Sequence, residues 1–286
     1  MLRLHEDRER FGEALNFTEA ETHFPARLVE KDYFCTVILE YLAVQVPELV
    51  FKGGTCLAKI HANFFRLSED LDFVIPVTNS SARSERRKLI APVKEAFTGL
   101  PRISPCFRIS QPLEGTNNST QYVGSLSYRS LPTGQPELIK IEVALREPLL
   151  RPPIPAEART ALLDPLTERD MVALVSVRCI SKLEAFAEKF RAALSRREVA
   201  ARDFFDLDYA VRKLGLQPGD AELVQLVRQK LAVAGNAPAD VSEGRLRDLH
   251  QKAEPQLRPV LRPRDFVEFD LPRAFRLVAD MAMKVS

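Results

Sequence analysis

The spacing of apolar residues predicts that the first half of this 286-residue chain alternates between helices and short strands. Apolar side chains recur at helical spacing over residues 28–46, which is typical of a core-facing helix, and Pro47 ends it. An apolar run over residues 48–51 predicts a short buried strand, and residues 55–65 again have helical spacing. Residues 78–100 begin polar and continue as a helix. This order indicates an α/β arrangement.

The segment DLDFVI at residues 70–75 has strict two-residue alternation and places two acids on one face of a predicted strand. Asp70 and Asp72 share this polar face, and the opposite face is apolar, with Leu71, Phe73 and Ile75. Two carboxylates on one face repel each other unless a cation compensates them. The pair therefore predicts a bound cation.

Three further strands are predicted over residues 106–110, 121–129 and 137–145, with turn residues between them. The last repeats the acid-bearing pattern, because Glu142 lies on the face opposite a row of isoleucine, valine and leucine. If this strand lies beside residues 70–75, three carboxylates converge on one side of a sheet. Mg²⁺ prefers oxygen ligands, and such ions stabilise attacking and leaving oxygens in phosphoryl transfer.

The turn Gly53-Gly54-Thr55 lies between a predicted strand and a predicted helix. Backbone N–H groups at a helix N-terminus favour phosphate, and glycine lets a phosphate approach the backbone closely. The Thr55 hydroxyl is expected either to cap the helix or to donate to a phosphate oxygen. Alone, each of these short patterns is a weak signal; their order along the chain makes them specific.

The second half of the chain has a different composition. Residues 146–158 hold four prolines, which predicts a stiff connector. From Thr167, an expected N-cap, the apolar spacing predicts helices almost throughout. A domain boundary is therefore predicted between residues 1–150 and 151–286, with an α/β first part and a mostly helical second part.

Bulk composition limits the class of protein. With 45% hydrophobic and 28% charged residues and no apolar run of about 20 residues, the chain is expected to be cytoplasmic, without a membrane span or signal peptide. Its net charge of +2 does not by itself indicate a nucleic-acid partner. The four cysteines and four histidines are scattered and match no zinc-ligand spacing, so reduced thiols and no histidine metal site are expected.

The combined motifs resemble a known superfamily. A G-G-T turn, D-x-D on the next strand and a third acid on a later strand are similar to nucleotidyltransferases of the DNA polymerase β type. The segments FKGGTCLAKIHANFFRLSEDLDFVI, KLEAF and RDFFDLDYAV more closely resemble the AbiEii/AbiGii nucleotidyltransferase toxins of toxin–antitoxin systems. The resemblance extends over about residues 28–212 and implies an α+β fold, with a polymerase β-like first half containing a mixed sheet and a mostly helical second half that completes the active-site cleft.

The resemblance also implies a role for individual residues. The metal ligands would be Asp70, Asp72 and Glu142, which together with Lys182 and Asp203 form the expected catalytic set. The expected nucleotide-binding residues are Gly53, Gly54, Thr55, Arg66, Ser68 and Lys182. Glu142 would activate or position the attacking hydroxyl, as a metal ligand or as a general base.

The implied reaction transfers NMP from an NTP, with Mg²⁺ or Mn²⁺, to an RNA acceptor, expected to be the tRNA 3′ end. A cognate antitoxin is the expected partner. Two alternatives remain open at this point: nucleotidylation of a protein or small molecule such as an antibiotic, and a non-catalytic binding protein on the same fold. The three acids argue against the second, because a site without metal has no use for crowded carboxylates.

Several of these residues also have ordinary structural interpretations. Lys182 lies along a largely apolar stripe that includes Val175, so its stem is alternatively a packing element with the ammonium group in solvent. Asp203 and Asp206 are alternatively helix-surface acids, with Arg202 and Asp206 as an ion pair. Ser68 is alternatively a turn cap, and Arg66 a solvated surface residue.

Two basic segments are candidates for RNA contact. One is RSERRK, residues 83–88, and the other follows Lys252 near the end of the chain. The second contains the predicted RNA-binding residues, which we call the C-terminal arginines: Arg258, Arg262 and Arg264. Contacts to phosphates would make RNA binding strongly salt-dependent, whereas basic segments on many proteins are simply solvated faces.

Overall fold

A computed structural model describes residues 2–78 and 80–286, and the chain divides into two units, Met1–Ile180 and Ser181–Ser286. The first unit contains a seven-stranded mixed sheet in the order β3-β4-β5-β2-β1-β7-β6. Its strands are β1 (Val50–Lys52), β2 (Leu71–Val74), β3 (Arg108–Thr116), β4 (Gln121–Arg129), β5 (Pro136–Ala144), β6 (Ile154–Ala158) and β7 (Val175–Cys179). Its helices are α1 (Arg8–Thr22), α2 (Ala26–Gln45), α3 (Gly53–Cys56) and α4 (Arg83–Ile103).

The sheet combines both strand directions. β2 runs parallel to β5 and antiparallel to β1, and β1 in turn runs parallel to β7. The β3, β4 and β5 strands form an antiparallel meander, and β6 pairs antiparallel with β7 at the other edge. The predicted mixed sheet is therefore confirmed.

The apolar faces predicted from the alternation form the core of the sheet. Leu71 and Phe73 on β2 are almost fully buried, as are Ile139, Ile141 and Val143 on β5. The core-facing helix predicted from residues 28–46 is α2, and the helix after residue 78 is α4, although residue 79 lies outside the described residues. Local periodicity was therefore a sufficient guide for this part of the chain.

The predicted stiff connector and the predicted helix from Thr167 are wrong. Ile154–Ala158 is β6, and Val175–Cys179 is β7. The buried residues Val175, Val177 and Cys179 alternate with exposed residues, so the segment has strand periodicity. Both strands belong to the sheet, and the first unit consequently continues past the predicted boundary at residue 150 to Ile180.

The second unit is helical in the residues that the structure describes. Its helices are α5 (Lys182–Ser195), α6 (Ala201–Lys213), α7 (Ala221–Leu231), α8 (Glu243–Leu257), α9 (Pro263–Glu268) and α10 (Leu271–Val285). A buried ion pair links α7 to α5, because Lys230 lies 2.7 Å from Glu184 and 3.2 Å from Glu188. Asp208 on α6 similarly accepts hydrogen bonds from Arg273 on α10. Among the described helices of both units, none combines the length and apolar character that a membrane crossing requires.

Candidate active site

Three neighbouring strands bring two acids and a lysine side by side. Lys52 at the end of β1 pairs with Asp72 on β2, and Asp72 pairs in register with Glu142 on β5. Residues directly opposite each other on adjacent strands project to the same face, so the two carboxylates are lateral neighbours. Asp70 precedes β2 by one residue. The prediction that the two acid-bearing strands lie next to each other is confirmed.

Burial and the neighbouring acids perturb the ionisation of Asp72. Burial, followed by the charges of Glu142 and Asp70, raises the pKa of Asp72 to about 6, although Lys52 and Lys140 act in the opposite direction. The folded protein therefore disfavours the charged form of this carboxylate. A cation bound against the carboxylate would remove that penalty.

Lys140 is already close to the acids. Its Nζ donates to Oε2 of Glu142 at 3.0 Å, across an ion pair in which the lysine side chain is half-exposed. Burial alone would lower the pKa of Lys140, but the bond to Glu142 and the charges of Asp70 and Asp72 outweigh it and raise the pKa. Lys140 thus supplies positive charge to this face.

Gly53 allows the turn after β1 to lie directly against Asp72. Its φ of 76° is in the left-handed region, and a Cβ at this position would lie 2.1 Å from Oδ2 of Asp72. Real Cβ atoms do not approach other atoms so closely, and residues other than glycine rarely adopt this φ. The G-G-T turn and the D-x-D strand are therefore in direct contact, and glycine at this position is required by that contact.

The second glycine packs against Arg66. A Cβ on Gly54 would lie 2.7 Å from an Nη atom of Arg66 and 3.1 Å from Oγ of Ser68. The Arg66 side chain is 2% exposed, and its guanidinium donates to the carbonyl of Leu67 at 3.1 Å. The solvated-surface interpretation of Arg66 is therefore wrong, because this arginine is enclosed beside the turn. Ser68 lies next to the same glycine, Gly54.

Thr55 connects the two motifs through a hydrogen bond. Its hydroxyl donates to the backbone carbonyl of Asp70, and the side chain is buried. This contact is neither the helix cap nor the phosphate donor that the sequence suggested as alternatives. Thr55 instead orients the start of β2, where the acids begin.

A buried ion pair holds the segment after the turn against α2. Lys59 lies 2.7 Å from Oδ1 of Asp32, and both side chains are almost fully buried. The same ammonium donates to the hydroxyl of Thr36 and to the carbonyl of Arg159. Because breaking a buried pair leaves an uncompensated charge, this contact strongly constrains the segment that carries the G-G-T turn.

Lys182 is the first residue of α5, and its side chain is exposed. Ser181 caps the helix by accepting a hydrogen bond from the backbone N–H of Glu184. The apolar stripe predicted to include Lys182 and Val175 is wrong, because Val175 lies on β7 and not on this helix. An exposed ammonium group at a defined helix start is accessible to an anionic ligand.

Asp203 and Asp206 both contact Lys189. The Nζ atom of Lys189 on α5 lies 2.9 Å from Asp203 and 2.7 Å from Asp206 on α6, and both acids are buried. Arg196 also approaches Asp203, at 3.4 Å. Their interpretation as helix-surface acids is wrong, because the pair fastens α6 to the helix that begins at Lys182.

The candidate RNA-binding residues have local partners. Arg258 lies 2.8 Å from Glu254 and stacks near the ring of Phe266, and Arg262 is paired with Asp265. Arg264 is exposed. In the other basic segment, residues 83–88, Arg86 is buried and donates to backbone carbonyls of Ser81 and Asn118. Much of this positive charge is therefore engaged within the protein itself.

Two lysines that the sequence analysis did not assign to the site face the acids, namely Lys52 and Lys140. The alternation of β5 places Lys140 on the same face as Glu142, so the pattern contained this signal. The position of Lys52 beside Asp72 is evident only from the pairing of β1 with β2. Both lysines place a positive charge beside the acids.

The donor set fits a hard divalent cation. Carboxylate oxygens on adjacent strands, beside a turn whose backbone contacts one of them, are the ligands that Mg²⁺ uses together with substrate phosphates. The raised pKa of Asp72 shows that burial and the neighbouring acids outweigh the compensation that Lys52 and Lys140 give to this carboxylate. Asp72 and Glu142, with Asp70 one residue before β2, are the candidate ligands for such an ion.

One protein-family model matches most of the chain. The family model described as the nucleotidyl transferase AbiEii toxin of type IV toxin–antitoxin systems matches residues 38–280. The chain belongs to the AbiEii family. It is therefore a nucleotidyltransferase and the toxin of a toxin–antitoxin system, and such a system implies a cognate antitoxin and an NTP substrate.

Solved structures support the AbiEii fold. The nucleotidyltransferase toxin MenT4 from Mycobacterium tuberculosis H37Rv is 20% identical, with a TM-score of 0.54, and the match covers 91% of this chain and 94% of that one. JHP933 from Helicobacter pylori is 16% identical, with a TM-score of 0.52, and covers 92% and 93%. No curated protein matches this chain. The predicted α+β fold is confirmed by these similarities.

Proposed function

We propose that this AbiEii toxin transfers NMP from an NTP to the 3′ end of tRNA, with Mg²⁺ or Mn²⁺ bound by Asp70, Asp72 and Glu142. The observation that carries the proposal is the in-register pairing of Asp72 with Glu142, with Gly53 in contact with Asp72. This pairing brings the oxygen ligands and the backbone of the G-G-T turn to one point of the sheet. A divalent cation bound there would neutralise phosphate charge and favour departure of pyrophosphate.

The protein's own residues would orient the two reactants. Gly53 and Gly54 begin α3, and their backbone N–H groups would receive the triphosphate. Lys182 binds the triphosphate tail through its exposed ammonium group. Thr55, Arg66 and Ser68 stabilise the turn that receives the nucleotide, and we retain Ser68 as a direct phosphate donor.

The reaction forms one bond and breaks one bond. The terminal hydroxyl oxygen of the RNA bonds to the α-phosphorus, and the bond from that phosphorus to the oxygen bridging to the β-phosphorus breaks. Glu142 accepts the hydroxyl proton, and pyrophosphate carries away the electron pair of the broken bond. Lys140 holds the Glu142 side chain in place through their 3.0 Å contact.

Asp203 acts indirectly in this proposal. It positions α5 through Lys189, together with Asp206, and so defines where the helix that begins at Lys182 lies within its own unit. We call it a positioning residue for this reason. Asp203→Glu would test this role, because it keeps the charge but displaces the carboxylate relative to Lys189. If Asp203 acts only by positioning α5, this variant should raise the apparent KM for NTP more than it lowers kcat.

The experiment that tests the proposal uses α-labelled NTPs, one at a time, with purified toxin, Mg²⁺ or Mn²⁺ and total RNA. We expect label in the tRNA band, and none when the tRNA 3′-terminal diol has been oxidised with periodate, since no acceptor hydroxyl then remains. Label in a nuclease-resistant protein band or in a small molecule would refute the RNA acceptor.

A matched pair of variants separates the site from general damage. Glu142→Gln should abolish transfer, because the amide neither accepts a proton nor compensates a cation. Glu114→Gln is the control, since Glu114 is an exposed acid on β3 of the same sheet. Equal loss of activity in both variants, or none in Glu142→Gln, would contradict the assignment.

A further inference from the structure

Two cysteines and a histidine, none of them assigned to the carboxylate site, converge within the first unit. Cys56 ends α3, His61 ends the helical turn Leu57–His61 that follows, and Cys179 ends β7. Their potential ligand atoms all lie within 4.8 Å of one another, and both cysteines are buried. The spacing along the chain did not predict this group. No disulfide joins the four cysteines, all of which lie in the described part of the chain.

The backbone explains why these residues meet. β1 and β7 run parallel, with Phe51 opposite Cys179, so the helix that leaves β1 passes over the end of β7. In a regular α-helix, residues five positions apart are rotated by about 140° and do not share a face. The turn Leu57–His61 is a π-helix, whose wider i→i+5 turn brings Cys56 and His61 to one side. Such turns occur frequently at functional sites.

His61 makes a hydrogen bond that fixes its tautomer. Its Nε2 lies 3.0 Å from the carbonyl oxygen of Ile180, which accepts hydrogen bonds only. Nε2 must therefore carry the hydrogen in the neutral ring, and the lone pair is on Nδ1. Metal-bound histidines characteristically donate their second ring nitrogen to a carbonyl or carboxylate in this way.

The thiol environment is also suited to a metal. Cys56 and Cys179 are both buried, and each has its sulfur within 4.8 Å of the other potential ligand atoms. The thiolate is the form that binds a metal ion. Two sulfurs and an imidazole nitrogen are soft ligands, in contrast to the oxygen ligands at Asp70 and Asp72.

We propose that Cys56, His61 and Cys179 bind one zinc ion, with a water molecule in the fourth tetrahedral position, at a site made of other residues than the carboxylate site. Tetrahedral zinc with Zn–S bonds of about 2.3 Å places two sulfurs about 3.8 Å apart. This spacing falls within the 4.8 Å limit that the three ligand atoms satisfy. The ion would fasten the segment that follows the G-G-T turn to the end of β7. Because Cys179 precedes Lys182 by only a few residues, zinc would stiffen both predicted nucleotide-binding segments.

The first test measures zinc in the full-length protein, reduced, incubated with zinc and desalted. Elemental analysis should find about one zinc per chain. Cys56→Ser, Cys179→Ser and His61→Gln should each reduce the zinc content at least tenfold after mild chelator treatment. The control variants Cys106→Ser and His250→Gln, which alter a half-buried cysteine and an exposed histidine elsewhere, should retain it.

A second measurement does not depend on how well the variants fold. Wild-type protein loaded with Co²⁺ should show thiolate-to-cobalt charge-transfer absorption, which Zn²⁺ displaces and Mg²⁺ does not. Less than a tenth of a zinc per wild-type chain, or no cobalt–thiolate band, would overturn the proposal. A Cys56–Cys179 disulfide, found by mass spectrometry together with no zinc uptake by the reduced protein, would also overturn it and identify a redox pair instead.

Discussion

Replacing Asp72 with asparagine should make the metal-free protein more stable above about pH 6, although it removes a proposed metal ligand. The folded protein raises the pKa of Asp72 from 3.8 to about 6, through burial and then the charges of Glu142 and Asp70. This difference corresponds to about 3 kcal/mol of penalty for the charged form. Since the side chain is partly exposed and asparagine loses some hydrogen bonding, we expect a gain of about 2 kcal/mol.

The direction of the pH dependence follows from linkage. The folded pKa lies above the unfolded one, so the folded state binds this proton more tightly. Above about pH 6, Asp72 is charged in both states and the folded state carries the full penalty. Between about pH 6 and 4 the penalty declines, and below the unfolded pKa it is absent. The advantage of asparagine should therefore be present at about pH 8 and largely lost at about pH 4.

The assay is thermal unfolding in a chelator at both pH values. At roughly 2–4 °C per kcal/mol for a chain of this size, Asp72→Asn should raise Tm by about 4–8 °C at about pH 8. Asp280→Asn is the control, because it changes the net charge equally at an exposed position on α10. Adding Mg²⁺ should stabilise the wild type and leave Asp72→Asn unaffected.

The reasoning has a clear refutation. If Asp72→Asn lowers Tm at about pH 8, or shifts it by the same amount at about pH 4, the carboxylate is not under electrostatic repulsion in the folded protein. If Mg²⁺ stabilises Asp72→Asn as much as the wild type, Asp72 is not a ligand of that ion. Nucleotide transfer by Asp72→Asn at the wild-type rate would independently contradict the proposed role of this residue.

Three further predictions concern the turn, Lys182 and the C-terminal arginines. Gly53→Ala should abolish transfer, because its Cβ would meet Asp72. Gly134 has a similar φ but open space around it, so the control Gly134→Ala should only destabilise the fold by about 1–2 kcal/mol. Equal activity in the two variants would refute the contact argument. Lys182→Ala should raise the KM for NTP without lowering Tm, and near wild-type activity of Lys182→Met would show that the charge is unnecessary. Changing all three C-terminal arginines to alanine should weaken RNA labelling and reduce its salt slope by about 0.7–0.9 for each phosphate that is no longer bound, with NTP binding unchanged; an unchanged slope would make them a solvated face.

The parts of this fold that could be predicted from sequence are those in which local pattern and burial agree. Two-residue alternation identified β2 and β5 and assigned Asp72 and Glu142 to their polar faces, because one face of each strand is fully buried. The predictions failed where one apolar pattern is compatible with two secondary structures. The apolar residues around Val175 fit a helix in a long window and a strand in a short one.

Proline content misled in a similar way. The segment that contains β6 is typical of a connector because proline cannot donate to a sheet, yet proline is tolerated on an edge strand. β6 is such an edge, with a partner only on the β7 side. Edge position is a property of the assembled sheet, so no local pattern could have distinguished these two outcomes.

Sequence by itself determined the family, the G-G-T turn, the acids and their strands, because each is a short-range pattern with a direct chemical meaning. Tertiary structure alone decided how those pieces act on one another. Strand pairing placed Lys52 beside Asp72. Close packing assigned Thr55 to the carbonyl of Asp70 and enclosed Arg66. The group of Cys56, His61 and Cys179 also depends on tertiary structure. The parallel pairing of β1 with β7 brings in the distant Cys179, and the widened helical turn places Cys56 and His61 on one side.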